Sequence, residues 1–212
     1  MIITRKRPRI EGDREAEVLD ATVAILADVG YDRLTMDLVA AQARASKATL
    51  YRRWESKADL VVDAVSRTKG IPDAEARDTG SLHGDLLAMA CGPCGQATQL
   101  PMSVLGGLLT ALHTDPELSA AWRERFLAPR MAVVRTIFDR AASRGELHPD
   151  LDLELILTVL PSMCAFRCTV EGRVVDEDFV ARVLDQVVLP AVSPRTGHPH
   201  TAGQLRTEGL FA

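Results

Sequence analysis

Ser46-Lys47-Ala48-Thr49-Leu50-Tyr51-Arg52-Arg53-Trp54, with Ser56-Lys57 close behind, is the stretch whose residue types and spacing could do the most chemistry. On a helix Leu50 and Trp54 lie four residues apart on one apolar face, which can anchor the segment to its neighbours. Ala48, Thr49, Tyr51 and Arg52 then come near the opposite face, with Lys47 in the first turn. That face holds a small residue for close approach, a methyl-bearing hydroxyl, a phenol and a guanidinium fork. Such groups suit a DNA major groove about 12 Å wide, where one arginine can bond both O6 and N7 of a guanine. Ser46 and Lys57 flank the face where phosphates would pass, and two helix N-termini add backbone donors. The plain alternative is a helical hairpin with a solvated basic face.

A second constellation is Cys91-Gly92-Pro93-Cys94, which has the spelling of a thioredoxin-type redox centre. Such a centre needs a strand before it and a parallel sheet around it, and no strand alternation occurs here. Gly92-Pro93 is therefore better placed to break or kink a helix, and a thiol-disulfide oxidoreductase has little to stand on. Cys91 and Cys94 could instead join Cys164 and Cys168, spaced i,i+4, in a four-thiolate zinc or thiol switch if those segments touch. Ordinary structural thiols are the plainer expectation, with no metal and no cofactor. A phosphate-cradling glycine loop, a His-Glu metal spacing and a nucleophile elbow are all missing from the sequence. His83, His113 and His148 stand alone, and the expectation is a protein that is not an enzyme.

The elements that must position the basic face are legible from their punctuation. A first helix is expected from about 14 to 29, capped by Asp13, stopped by Gly30, with Val18, Ala21, Ile25 and Val29 as its buried stripe. Thr35 can cap a second helix, with Leu34 and Val39 placed as a hydrophobic staple, and Ser46 can cap a third. Ser56-Lys57-Ala58-Asp59 is a capping-box variant opening a fourth, which ends near Lys69-Gly70. A polar linker follows over 71–80. Further helical stretches are expected at about 81–98, 101–113, 115–144, 152–170 and 176–190, with Pro129 kinking the longest. The tail from Ser193 is rich in Pro, Gly, Thr and His and should be flexible.

Composition agrees with an all-helical chain. Hydrophobic residues make up 47% of the 212, aromatics only 4%, and Leu and Ala, strong helix formers, fill many apolar positions. The net charge of −4 argues against a general nucleic-acid coat, but the charge is unevenly spread. Residues 1–70 hold 13 Lys/Arg against 11 Asp/Glu, hence +2, and the remainder 12 against 18, hence −6. Arg5, Lys6, Arg7 and Arg9 precede the first acid, so residues 1–13 read as a basic arm for phosphates or the minor groove. No run reaches the ~18 apolar residues of a membrane span, and no apolar core follows the basic start, so a cytoplasmic location is expected.

Residues from about 14 to 70 resemble the DNA-binding domain of the TetR family of bacterial repressors. The run Ser46 to Trp54 with Ser56-Lys57 is similar to that family's signature stretch, and Gly30-Tyr31 and Leu34-Thr35 sit at its helix boundaries. In the body, 123–130 (Arg-Glu-Arg-Phe-Leu-Ala-Pro-Arg) and 144–151 (Arg-Gly-Glu-Leu-His-Pro-Asp-Leu) resemble one large branch of it. The resemblance implies phosphate contacts by Thr35, Lys47, Thr49, Tyr51 and Lys57. It places Ala48, Arg52 and again Lys47 against bases, with Arg52 the choice for a guanine. One departure stands out: the turn usually carries Gly-Val before its serine, and here it is Arg44-Ala45. Glycine would supply a positive φ without strain, whereas arginine is less comfortable there. Either Arg44 accepts the left-handed conformation and adds a phosphate contact, or the turn differs.

For residues 81–192 the resemblance implies a helical regulatory domain that dimerises through its last two long helices and binds an inducer among the others. Broad apolar faces occur at Phe179, Val180, Val183, Leu184, Val187 and Val188, and at Leu153, Ile156, Leu157 and Leu160. These could equally form an intramolecular core. A reader of palindromic half-sites needs a two-fold partner, which favours a homodimer through Leu153, Leu157, Phe179, Val183, Leu184 and Val187. A pocket could be lined by Leu86, Met89, Leu105, Leu109, Trp122, Phe126, Met163 and Phe166, with His113 and Arg167 orienting a ligand. The expectation is an all-α protein with a helix-turn-helix at 35–54 and an antiparallel helical body. It would be a homodimeric repressor released from a palindromic double-stranded DNA operator by a small apolar ligand.

Overall fold

The computed structural model describes residues 12–70, 78–91 and 102–194, apart from the side chains of 102, 103 and 105. Residues 1–11 of the basic arm, most of the linker, Cys94 and the tail from 195 lie outside the described residues. Among the described residues every regular element is helical. The first four helices are α1 (Asp13–Arg33), α2 (Met36–Gln42), α3 (Lys47–Tyr51) and α4 (Lys57–Lys69). Three hydroxyls start three of them: Thr35 accepts from the Leu38 N–H, Ser46 from Thr49 and Ser56 from Asp59. Each satisfies a backbone donor that has no partner inside its helix.

The start of α1 corrects the expected cap. Asp13 is the first helical residue and Gly12, at φ 62, precedes it with no side-chain cap. Asp13 and Glu15 instead place negative charge in the first turn, where the helix dipole favours it. The helix breaks at Gly30 (φ 77), and a single further turn, Tyr31–Arg33, follows.

The body comprises α5 (Leu82–Cys91), α6 (Met102–Thr114), α7 (Pro116–Ala121), α8 (Ala128–Ser143), α9 (Leu153–Thr169), α10 (Glu177–Val183) and α11 (Leu189–Val192). Asp115, Asp152 and Asp176 cap α7, α9 and α10 through backbone N–H groups. A π-helical segment, Trp122–Leu127, joins α7 to α8, and another, Leu184–Val188, joins α10 to α11. The 115–144 run thus answers Pro129 with a π segment two residues upstream, and Pro190 stands in the same relation to the second. Proline offers no N–H to the carbonyl four residues back and crowds it. The widened turn lets Ala128 donate to the Arg123 carbonyl and Leu189 to the Leu184 carbonyl, five residues back in each case.

Two apolar clusters hold the molecule. One joins the head, through Leu26, Val39, Leu50, Trp54 and Val61, to Leu108 of α6 and Leu118 of α7. The other packs α5, α8, α9 and α10. Asp85 is fully buried, accepts from the Thr79 N–H at 2.6 Å and lies 3.3 Å from Arg144, fastening α5 to α8.

The second cluster corrects part of the expected dimer face. Leu157, Val183 and Leu184 are buried in the protomer's own core, and Leu153 and Phe179 pack half-buried against it. Of that set Val187 remains exposed. The most exposed large apolar side chains among the described residues are Leu155, Phe166, Val170 and Val174, on α9 and just after it, at 55–67% exposure.

Candidate nucleic-acid interface and effector cavity

The two apolar anchors of α3 behave as the i,i+4 spacing requires: Leu50 and Trp54 are buried to 1% exposure or less. Their burial turns Lys47, Ala48, Tyr51 and Arg52 outward, with Thr49 half-exposed and Ser46 and Thr35 exposed beside them. Lys47 Nζ donates to Asp37 Oδ2 at 2.8 Å, a bond that ties α3 to α2 and raises the lysine above its ordinary range. Lys57 is placed differently from the other expected phosphate contacts. Its Nζ donates to the Tyr31 carbonyl at 3.2 Å and lies 4.0 Å from that ring's centroid. Tyr31 in turn donates to Asp115 Oδ2 at 2.7 Å, and burial followed by this bond pushes its phenol upward.

The turn between α2 and α3 takes the left-handed conformation at Arg44. Arg44 has φ 50, and among the described residues it is the one non-glycine residue with positive φ. The Ala45 N–H reaches back to the Ala40 carbonyl at 2.9 Å, and Arg14 reaches across from α1. Its Nη2 donates to the carbonyls of Ala43 (2.5 Å) and Arg44 (2.9 Å), which pins the strained peptide. Sequence reasoning missed Arg14, because nothing local ties residue 14 to a turn thirty positions away.

A second missed residue joins head to body. Arg125, in the first π segment, donates to Asp59 and Asp63 of α4 at 2.6 Å each. The other oxygen of Asp63 accepts from Trp54 Nε1 at 2.8 Å. One carboxylate therefore holds the indole that anchors α3 and the guanidinium of the body.

Where α4 ends, a cavity of about 260 Å³ opens between that end, α5, α8, α9 and α10. Leu86, Met89 and Phe126 line it, as do Lys69, Arg130 and Cys164. The other residues expected there lie elsewhere. Leu109, His113 and Phe166 face outward, and the Leu105 side chain is outside the described residues. Trp122 stacks on Phe126 (centroids 4.0 Å) without reaching the cavity, and Met163 packs on the second apolar cluster. Arg167 is buried away from the cavity, donating to the Val174 carbonyl at 2.7 Å with its guanidinium 4.2 Å from the Phe179 centroid. Helical periodicity marked which residues are apolar, but not which of two buried sides holds the space.

Cys164 and Cys168 are free thiols, and Cys94 is outside the described residues. Burial raises Cys91 and pushes Cys164 up to about 11, the direction opposite to an activated thiolate. Among the described residues no group of three or more His, Cys, Asp or Glu is arranged to hold a metal. No described helix is long and apolar enough to cross a membrane.

Two family descriptions match the chain. That of bacterial regulatory proteins of the tetR family covers residues 18–64, and that of the tetracyclin repressor-like C-terminal domain covers 76–187. An uncharacterised HTH-type transcriptional regulator of Mycobacterium bovis is 37% identical over 185 residues, spanning 87% of this chain and 90% of its own. A DNA-binding transcriptional repressor TetR of Mycobacteroides abscessus is 36% identical over 181 residues, spanning 85% and 95%. The crystal structure of a TetR family transcription regulator superposes with a TM-score of 0.59 at 30% identity, over 86% of this chain and all of that one. The outward face of α3, its two hydroxyl-capped neighbours and the helical body behind them thus have relatives along nearly their whole length, and the chain belongs to the TetR family of DNA-binding transcriptional regulators.

Proposed function

We propose that the protein is a homodimeric repressor that sets α3 of each protomer into successive major grooves of a palindromic operator. Arg52 reads a guanine, Ala48 and Lys47 lie against neighbouring bases, and Thr35, Arg44, Ser46, Thr49, Tyr51 and Lys57 follow the phosphates. The observation that carries the reading is the split of α3 and the turn that follows it: Leu50 and Trp54 are inside, Tyr51 and Arg52 exposed. The sign of regulation follows the M. abscessus relative, whose name is that of a repressor.

The effector would occupy the cavity at the end of α4. Lys69, the last residue of α4, is in its wall, and Phe126 comes from the π segment whose Arg125 grips the same helix. An occupant that fits better when α4 has moved would draw the protein toward that arrangement and away from DNA. A second copy would cover Leu155, Phe166, Val170, Val174 and Val187.

The test uses fragments selected from the source genome by the native protein at one stated salt concentration. Tyr51→Ala with Arg52→Ala is expected to abolish selective binding while leaving the melting temperature of the body unchanged. Full operator binding by that double variant would place the DNA surface elsewhere.

A further inference from the structure

Between Thr35 and Trp54 the sequence holds four cations, Arg44, Lys47, Arg52 and Arg53, and a single acid, Asp37. That acid stands in the first turn of α2, two residues after the Thr35 cap. Its Oδ2 accepts from Nζ of Lys47, the first residue of α3, at 2.8 Å. Neither side chain is covered: Asp37 is 69% exposed and Lys47 52%. An ion pair this open to water adds little to folding stability. The dipole of α2 favours an acid in its first turn, but it does not call for a bond to the next helix. Against a polyanion the same acid is a disadvantage, because it lowers affinity for every sequence alike.

We propose that Asp37 is a specificity-determining residue of the DNA-binding head, one that holds the Lys47 ammonium off the phosphates and directs it to base edges. This rests on the reading of Lys47 as a base contact. A lysine left alone is a point charge on a four-carbon stem, free to swing to the nearest phosphate. There it would add affinity and no sequence information. Asp37 offsets that charge, so a phosphate gains less from it. The ammonium has three donors, and the bond to Asp37 takes one and limits where the other two can point. A guanine O6 or N7 can still accept from them. The carboxylate thus lowers general affinity and raises discrimination, which is the difference between right and wrong sequences.

The test titrates the full-length protein with the fragment selected by the native protein and with a scrambled duplex of equal length, across a range of salt. Asp37→Asn removes the charge from an exposed position and should leave the melting temperature unchanged. It is expected to bind the scrambled duplex more tightly, with a salt slope steeper by about one. The ratio of selected over scrambled affinity should fall by about tenfold, the discrimination of one directed contact to a base. Lys47→Met should lower the ratio by a similar factor through weaker binding of the selected fragment. Asp37→Asn added to Lys47→Met should lower it no further, because Asp37 acts through Lys47. A native ratio in Asp37→Asn, or a second fall of equal size in the double variant, overturns the positioning role. If Lys47→Met lowers the ratio and Asp37→Asn does not, the base contact stands without its guide. A native ratio in Lys47→Met removes the base contact, and the role of Asp37 with it.

Discussion

At φ 50, Arg44 sits where an L-residue carrying a Cβ is strained by about 1–2 kcal/mol. Glycine would relieve that strain, so Arg44→Gly should raise unfolding stability by about 1 kcal/mol, read as a higher urea midpoint at unchanged slope. If the guanidinium touches a phosphate, the same change weakens operator binding on all sequences and lowers the salt slope by about one. An operator affinity and salt slope that do not move would remove that contact. The cost of this turn explains why Arg14 matters. Its two bonds to the Ala43 and Arg44 carbonyls hold a peptide that local preference would let go. The caps were legible because Thr35, Ser46 and Ser56 each act within three residues of themselves. The Arg14 clamp was not, because it exists only once α1 and the turn have been folded together.

Helix α4 carries Asp59 and Asp63 one turn apart on the same face, an arrangement of like charges that a bare helix disfavours. Arg125 resolves it by bonding both, with all three side chains only partly exposed. Arg125→Met should lower stability by about 1–2 kcal/mol, after allowance for their solvent contact. It should also loosen coupling. An effector that still binds by calorimetry is expected to shift operator affinity less in this variant than in the native protein. An unaltered effector response would mean that α4 is moved by the cavity wall alone. In the sequence Asp59 reads only as part of a capping box, and neither its pairing with Asp63 nor their partner is found there, because Arg125 lies on a π segment where α-helical periodicity no longer says which way a side chain points. Pro129 signalled that the long helix must adjust, and the form of the adjustment depended on where the neighbouring carbonyls could find donors.

At the scale of the whole molecule, the outward stripe on α9 separates what belongs to one protomer from what awaits another. Leu157 and Leu184 fill the core, whereas Phe166 and Val170 stand 55% and 67% exposed. Periodicity could find the apolar residues of these helices but not their allocation, since a core and an interface ask for the same residue types. Phe166→Asp with Val170→Asp should therefore keep the fold and yield monomers in sedimentation velocity. The operator affinity should fall at least about a hundredfold, the usual reward of linking two half-sites. A double variant that stays dimeric would move the partner face off α9.

The π segment at 122–127 also fixes how this chain can change length. A π turn holds one residue more than the α-helix it interrupts, so it behaves as an insertion already absorbed. Deleting one residue there would restore plain helix while turning everything before it, relative to α8, by about 100°. Arg125 would swing away from Asp59 and Asp63, and the head would lose its grip on the body without a single contact residue being replaced. When chains of this kind are aligned, a one-residue gap inside 122–127 is a difference in mechanism, and not a harmless loop polymorphism.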